Sequence, residues 1–213
     1  MKSDQPSHAS ERRYGGLSDG ERRAERRERL LATGLELFGT AGYAATTIEQ
    51  LCTVARVTAR HFYEEYDGRE ALLVAVYDRV IGRARQGVLG ALSATARADP
   101  VTQIRAGVDA FVHAYVDDPR HVRIACIECV GVSAVLEVHR RKVIRAFAAL
   151  IRARFEAFSS DGLVEQRDYR LCAIALAGAT NELLVEWASR DRGRPKATVM
   201  IDELTRLYLG ALG

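Results

Sequence analysis

Cysteine, aromatic side chains and long apolar runs are all scarce in this 213-residue chain. Its four cysteines, Cys52, Cys126, Cys129 and Cys172, are too few and too dispersed for a disulfide framework, which points to a reducing cytoplasm. No apolar run looks long enough to cross a bilayer, so no membrane partner is expected. The arginine pairs near the N-terminus have no apolar stretch behind them, unlike a secretory signal. A soluble, cytoplasmic protein is expected. No segment combines period-two alternation with the β-branched enrichment of a strand, and no repeat recurs. Nucleophile–base pairs, phosphate loops and metal-ligand spacings are missing too: His113, His121 and His139 stand at no zinc-like spacing from the cysteines. An enzyme, a metal site and a cofactor are therefore not expected.

What remains is charge and helical periodicity. The 48% apolar and 28% charged fractions suit an ordinary globule, and a net charge of +3 permits an anionic partner without demanding one. Residues 1–17 are polar, contain glycine and lack periodicity, as in a mobile tail. Ser18 and Glu21 then form a capping box that starts a helix. Within that helix Leu31, Gly34, Leu35 and Phe38 fall at i, i+3, i+4, i+7, and Gly42 is placed to end it. A short helix follows with Thr46 as its expected N-cap and Ile48, Leu51, Cys52 and Ala55 on one face. Thr58 caps a second short helix, and a long one runs from Arg69 to about Ala94. Asp99-Pro100 and Asp118-Pro119 each pair an N-cap with proline at the first helical position. Further helices are expected over about 99–117, 119–130, 133–158, 167–190 and 195–212. The fold class is all-α, about nine helices, with three N-terminal helices ahead of a larger helical bundle.

The aromatic residues are few, 7% of the chain, yet four ring-bearing side chains crowd into "VTARHFYEEYDGRE", residues 57–70: His61, Phe62, Tyr63 and Tyr66. On a helix Phe62 and Tyr66 share one edge at i, i+4 and suit a core. Thr58, Ala59, Arg60, His61 and Tyr63 cannot all share that edge. Arg60 and His61 can donate to guanine edges or phosphate, and the Tyr63 hydroxyl to phosphate. Thr47 adds a hydroxyl at a helix N-terminus, a phosphate-binding geometry. Two short helices joined by a tight turn are the layout of a helix-turn-helix. Net charge gives this reading no help, since between residues 22 and 70 eight arginines face seven glutamates and one aspartate.

The run from Arg26 to Leu73, about a quarter of the chain, resembles the DNA-binding domain of the TetR family of transcriptional regulators. The resemblance is carried by the apolar first helix ending in Phe38, Gly42-Tyr43, Thr46-Thr47, the turn at Ala55 and Val57, Tyr63, Tyr66, and Arg69-Glu70-Ala71-Leu72. It implies a double-stranded DNA operator read by Thr47, Thr58, Ala59, Arg60, His61, Tyr63, Arg69 and Arg56. Three departures stand out. Arg56 occupies a turn position where glycine is usual, Glu64 and Glu65 bring acids close to the reading edge, and Arg69 replaces a common lysine. The two acids are expected to face away from DNA.

The resemblance divides the chain into a DNA-binding domain, 18–68, and an effector-binding and dimerisation domain, 69–213. Polar or aromatic groups interrupting apolar helical faces make Tyr115, Glu128, Cys129, Phe147, Asn181, Glu182 and Trp187 the candidates for an effector pocket. Ile174, Ala175, Gly178 and Val185 share a face in one C-terminal helix, as do Ile201, Leu204, Tyr208 and Leu212 in the other; both are expected to meet their copies in a homodimer. The function expected is that of a dimeric regulator, a repressor, released from a palindromic operator by a small, largely apolar effector, with motion carried by the helix from Arg69. Thiol sensing at Cys126 and Cys129, an all-α enzyme using Glu128 and Cys129, and a helical interaction protein are the alternatives.

Overall fold

The computed structural model describes residues 18–190 and 192–213. The expected N-terminal tail lies outside them. Nine α-helices run in the order α1 Asp19–Thr40, α2 Ile48–Ala55, α3 Ala59–Glu65, α4 Arg69–Ala94, α5 Pro100–Val116, α6 Pro119–Arg123, α7 Ala134–Ser160, α8 Arg170–Ser189 and α9 Ala197–Gly210. Among the described residues no strand occurs, as expected for an all-α chain.

Local chemistry sets most helix ends. Ser18 Oγ accepts from the Glu21 backbone N–H at 3.2 Å while the Glu21 carboxylate accepts from the Ser18 N–H at 2.7 Å, completing the capping box. Asp99 and Asp118 cap α5 and α6, each followed by proline. One cap differs from expectation. Thr47, not Thr46, caps α2, because Thr46 is buried and its hydroxyl donates to the Gly42 carbonyl at 2.8 Å. The helix expected over 119–130 also divides. After α6 the chain widens into a π-helical stretch, Ile124–Glu128, which adds a residue to the turn and re-aims the side chains around it.

Leu30, Phe38, Leu51, Phe62, Leu72 and Leu73 are fully buried where α1 to α4 meet, and the same core continues into the bundle through Val122, Ile124 and Leu136. At the junction α6 crosses the end of α1. A Cβ on Gly39 would lie 2.6 Å from Arg120 Cβ, so only glycine lets the two helices approach this closely. Gly42, at φ +96°, then reverses the chain out of α1.

In the bundle, α7 packs along α8 through Ala148, Ala173 and Ala177, but stands away from α4 and α5. The space left between them is the cavity described below. By length and composition α8 could cross a bilayer, with a mean hydropathy of 1.3, which corrects the expectation that no stretch could. The excess apolarity has a structural origin. α8 is apolar on its inner face, at Leu176 and Leu184, and also on its outer face, where Leu171 is 67% exposed and Ile174 is exposed with it.

Candidate nucleic-acid interface and buried cavity

The short helix α3 divides its rings as its spacing dictates. Phe62 and Tyr66 are buried against α1 and α4, with the Arg27 guanidinium 5.5 Å above the Tyr66 ring. Tyr63 is 57% exposed and meets Phe62 only edge-on at 5.5 Å. Thr58, Ala59 and Arg60 are exposed beside it and His61 is half-buried. Thr58 Oγ accepts from the His61 N–H at 3.2 Å and so fixes where α3 begins. Thr47 is exposed at the start of α2; its hydroxyl oxygen accepts from Gln50 N–H at 3.2 Å, which leaves its proton for an outside acceptor. Arg56 turns the chain between α2 and α3 in a left-handed conformation, φ 54° and ψ 49°, with its side chain exposed. A non-glycine residue held there costs on the order of 1 kcal/mol. It adds an exposed guanidinium at the rim of α3 in return.

Two expectations need correction. Arg69 is half-buried and is not free for phosphate: its Nη1 donates to the carbonyls of Tyr43, at 3.1 Å, and Thr46, and its guanidinium lies 4.4 Å from the Tyr43 ring centroid. It clips the loop between α1 and α2 onto α4. Of the two acids, only Glu65 faces away, with its carboxylate 1% exposed against Arg23 at 2.7 Å. Glu64 stays on the outer side of α3 and holds Arg60 at 3.1 Å. Arg60 must leave Glu64 to reach a base or a phosphate.

The bundle encloses a cavity of about 120 Å³, walled by α4, α5, α7, α8, α9 and the π-helical stretch, and lined almost entirely by apolar atoms. It follows α5 from Gln103 to Tyr115, about 18 Å at the helical rise. The ring pair Phe111–Phe147, edge to face at 5.4 Å, spans it at mid-height. Of the expected pocket residues, Tyr115, Phe147 and Asn181 line it. Glu128, Cys129, Glu182 and Trp187 do not. Cys129 is sealed in the core and Glu182 points outward from α8. The Trp187 indole N–H donates to the Pro195 carbonyl at 3.0 Å and anchors the loop before α9. Burial pushes the Cys126 and Cys129 thiols up to about 12, so neither is the thiolate that redox sensing needs.

Gln103, Arg140, Thr180 and Tyr208 are the polar lining residues that the sequence reading missed as pocket residues. The Tyr208 hydroxyl meets Thr180 Oγ1 at 3.0 Å, and burial pushes its pKa up to about 12. Gln103 donates to the Ala98 carbonyl at 2.7 Å, while its Oε1 is buried with no partner among the described residues. A polar residue interrupting the apolar face formed by Ile104, Gly107, Val108 and Phe111 was a readable signal for Gln103.

Glu128 has a different place. Its carboxylate accepts from the Tyr43 backbone N–H at 2.7 Å and from Arg123 Nε at 2.8 Å, and Arg123 Nη1 donates to the Thr40 carbonyl at 2.8 Å. Arg120 bridges Asp118 and Glu36 beside it. These contacts tie the π-helical stretch to the end of α1. The same stretch contributes Ala125 and Cys126 to the cavity wall.

The last two helices are also partly corrected. Ile174, Ala175 and Gly178 are exposed on α8 and Val185 is half-buried, a face open to a partner. On α9, Ile201, Leu204 and Leu212 are buried within the protomer and Tyr208 lines the cavity. The outward face of α9 is formed instead by Val199, 56% exposed, Leu207, Arg206 and Gly210.

Comparison with known proteins agrees with this geometry. Residues 30–76 match the family described as "Bacterial regulatory proteins, tetR family", and residues 101–211 match "Tetracyclin repressor-like, C-terminal domain". The transcriptional activator FasR of Mycolicibacterium smegmatis is 29% identical over 180 residues, covering 84% of this chain and 80% of that protein. Among solved structures, FadR of Bacillus subtilis in complex with stearoyl-CoA has a TM-score of 0.76 at 12% identity, covering 87% of this chain and 99% of that one. AibR in complex with isovaleryl coenzyme A and operator DNA has a TM-score of 0.65 at 19% identity, covering 84% and 96%. These relatives are regulators rather than enzymes, and the chain belongs to the TetR family of bacterial transcriptional regulators.

Proposed function

We propose that this regulator works as a homodimer on a palindromic operator and is released from it by an acyl effector held in the bundle cavity. The observation that carries the reading is the double use of one five-residue stretch, Ile124–Glu128. One side of it walls the cavity through Ala125 and Cys126, and its last residue holds the Tyr43 N–H. A ligand that widens the cavity presses on that wall and disturbs the hold on α1. The helix α4 provides a second route, since Tyr77 lines the cavity and Arg79 pairs with Glu28 of α1 at 2.5 Å. The effector shifts DNA affinity only as far as it prefers one state over the other.

The acyl assignment is supported by the elongated, apolar cavity and by the ligands of FadR and AibR, both acyl-coenzyme A molecules. The division into a DNA-reading unit, 18–68, and an effector and dimer unit, 69–213, follows the same logic. Thr47, Arg56, Thr58, Ala59, Arg60, His61 and Tyr63 are the proposed DNA contacts. The exposed apolar faces of α8 and α9 are the proposed dimer surface, which would set two copies of α3 about 34 Å apart for successive turns of the major groove. Repression results where the operator overlaps a promoter; FasR carries the name of an activator, so the sign belongs to the operator's position. The test is selection of bound fragments from genomic DNA, followed by titration of the complex with acyl-coenzyme A esters of rising chain length. Release by some chain lengths is the expected result. Binding that no acyl compound alters overturns the effector class.

A further inference from the structure

The end of the cavity nearest α1 is rich in hydrogen-bond donors. Arg140 lines it from the second turn of α7, its side chain 12% exposed. One nitrogen, Nη1, donates to the Glu137 carboxylate at 3.1 Å, but Nε is buried with no partner among the described residues. The guanidinium charge bears on the Tyr77 phenol and on the Cys126 and Cys129 thiols, which sets it above this end of the cavity. Tyr77 and Tyr115 are held neutral by burial, so each keeps its O–H. Asn181 uses its carbonyl oxygen for a long 3.9 Å contact from Cys126 Sγ, which leaves its amide nitrogen as a donor. At the opposite end the orphaned polar atom is an acceptor, Gln103 Oε1.

An unpaired guanidinium N–H in an apolar cavity is a standing desolvation cost that a ligand oxygen removes. The polarity of the two ends also fixes a direction. A head made of oxygen acceptors is attracted by the donors around Arg140 and repelled by Gln103 Oε1. We propose that Arg140 reads the head of the effector, taking the carboxylate or thioester oxygen of an acyl ligand on its Nε–H while the chain runs towards Gln103. This assignment rests on the acyl reading above. It puts the head against Cys126 and hence against the stretch that grips α1, whereas the chain determines fit along α5.

The test is equilibrium binding of purified full-length protein to myristate, myristoyl coenzyme A and tetradecanol, which share a chain and differ in head. Wild-type protein is expected to prefer the acid or the thioester over the alcohol by about tenfold or more, as a charge-assisted hydrogen bond allows. Whichever of the two binds better identifies the source of the oxygen. In Arg140→Met the preference is expected to vanish, with tetradecanol binding retained. Arg140→Gln, which keeps a neutral N–H, is expected to lose most of the preference and carries the test should circular dichroism show the methionine variant unfolded. A head preference undiminished in the folded variants overturns the role of Arg140 and leaves the acyl effector standing. Failure of the wild-type protein to bind any of the three removes both.

Discussion

The N-terminal helices and the helical bundle differ in how far each satisfies itself. In α1 to α4 the rings are buried, the helix starts are capped, and even Arg69 is spent on carbonyls of its own loop. The bundle is left with a cavity, orphaned polar atoms at Gln103 and Arg140, and apolar faces on α8 and α9 open to solvent. A part that must present a fixed shape to a rigid duplex gains from being complete. A part that must respond to a ligand and a second copy gains from groups that only those partners satisfy.

The contrast can be broken most severely in the head. Phe62→Ala removes a fully buried ring from a core with no slack, and a loss of about 3–5 kcal/mol in denaturant unfolding is expected. The next effect belongs to the bundle: Ile174→Glu places a charge on the exposed face of α8. It is expected to weaken self-association by about 2 kcal/mol or more in sedimentation equilibrium while leaving the protomer folded. Arg60→Ala is expected to cost about 1–3 kcal/mol in operator affinity, and Tyr63→Phe about 0.5–1.5 kcal/mol. Both residues are exposed, so the unfolding midpoint should not move. Unchanged affinity in both variants would show that α3 does not read DNA as described.

The smallest effect lies at the seam. Arg120 holds the Asp118 carboxyl below its ordinary value of 3.8. A depressed carboxylate stabilises the fold above that value, and the contribution is lost as the pH falls further. Asp118→Asn should therefore flatten the acid limb of the stability profile below about pH 4 and leave neutral pH nearly unchanged.

Much of this was legible in the sequence, and the misses share a cause. The caps at Ser18, Thr58, Asp99 and Asp118 are local chemistry and were readable. So was the split of Phe62 and Tyr66 from Tyr63, which follows from helical spacing alone. Arg69 was misjudged because its carbonyl partners lie more than twenty residues away, in a loop whose path no local pattern gives. On α9 the stripe Ile201, Leu204, Tyr208 and Leu212 was recognised as one face, but periodicity does not say whether a protomer's own core or its copy covers it. Glu128 was identified as a polar residue in an apolar setting. Its destination depended on the π-helical stretch, whose apolar composition differs in no visible way from a continuing α-helix.

The central claim is that cavity and reading head are coupled through Ile124–Glu128. The direct measurement is a linkage square: operator affinity with and without a bound acyl ligand, and ligand affinity with and without operator, in wild type and in Glu128→Gln. The account predicts that the ligand weakens operator binding by about 5- to 150-fold, that operator weakens ligand binding by the same factor, and that the factor shrinks in Glu128→Gln. A ligand that fills the cavity and leaves operator affinity unchanged, or a factor indifferent to Glu128, would contradict it.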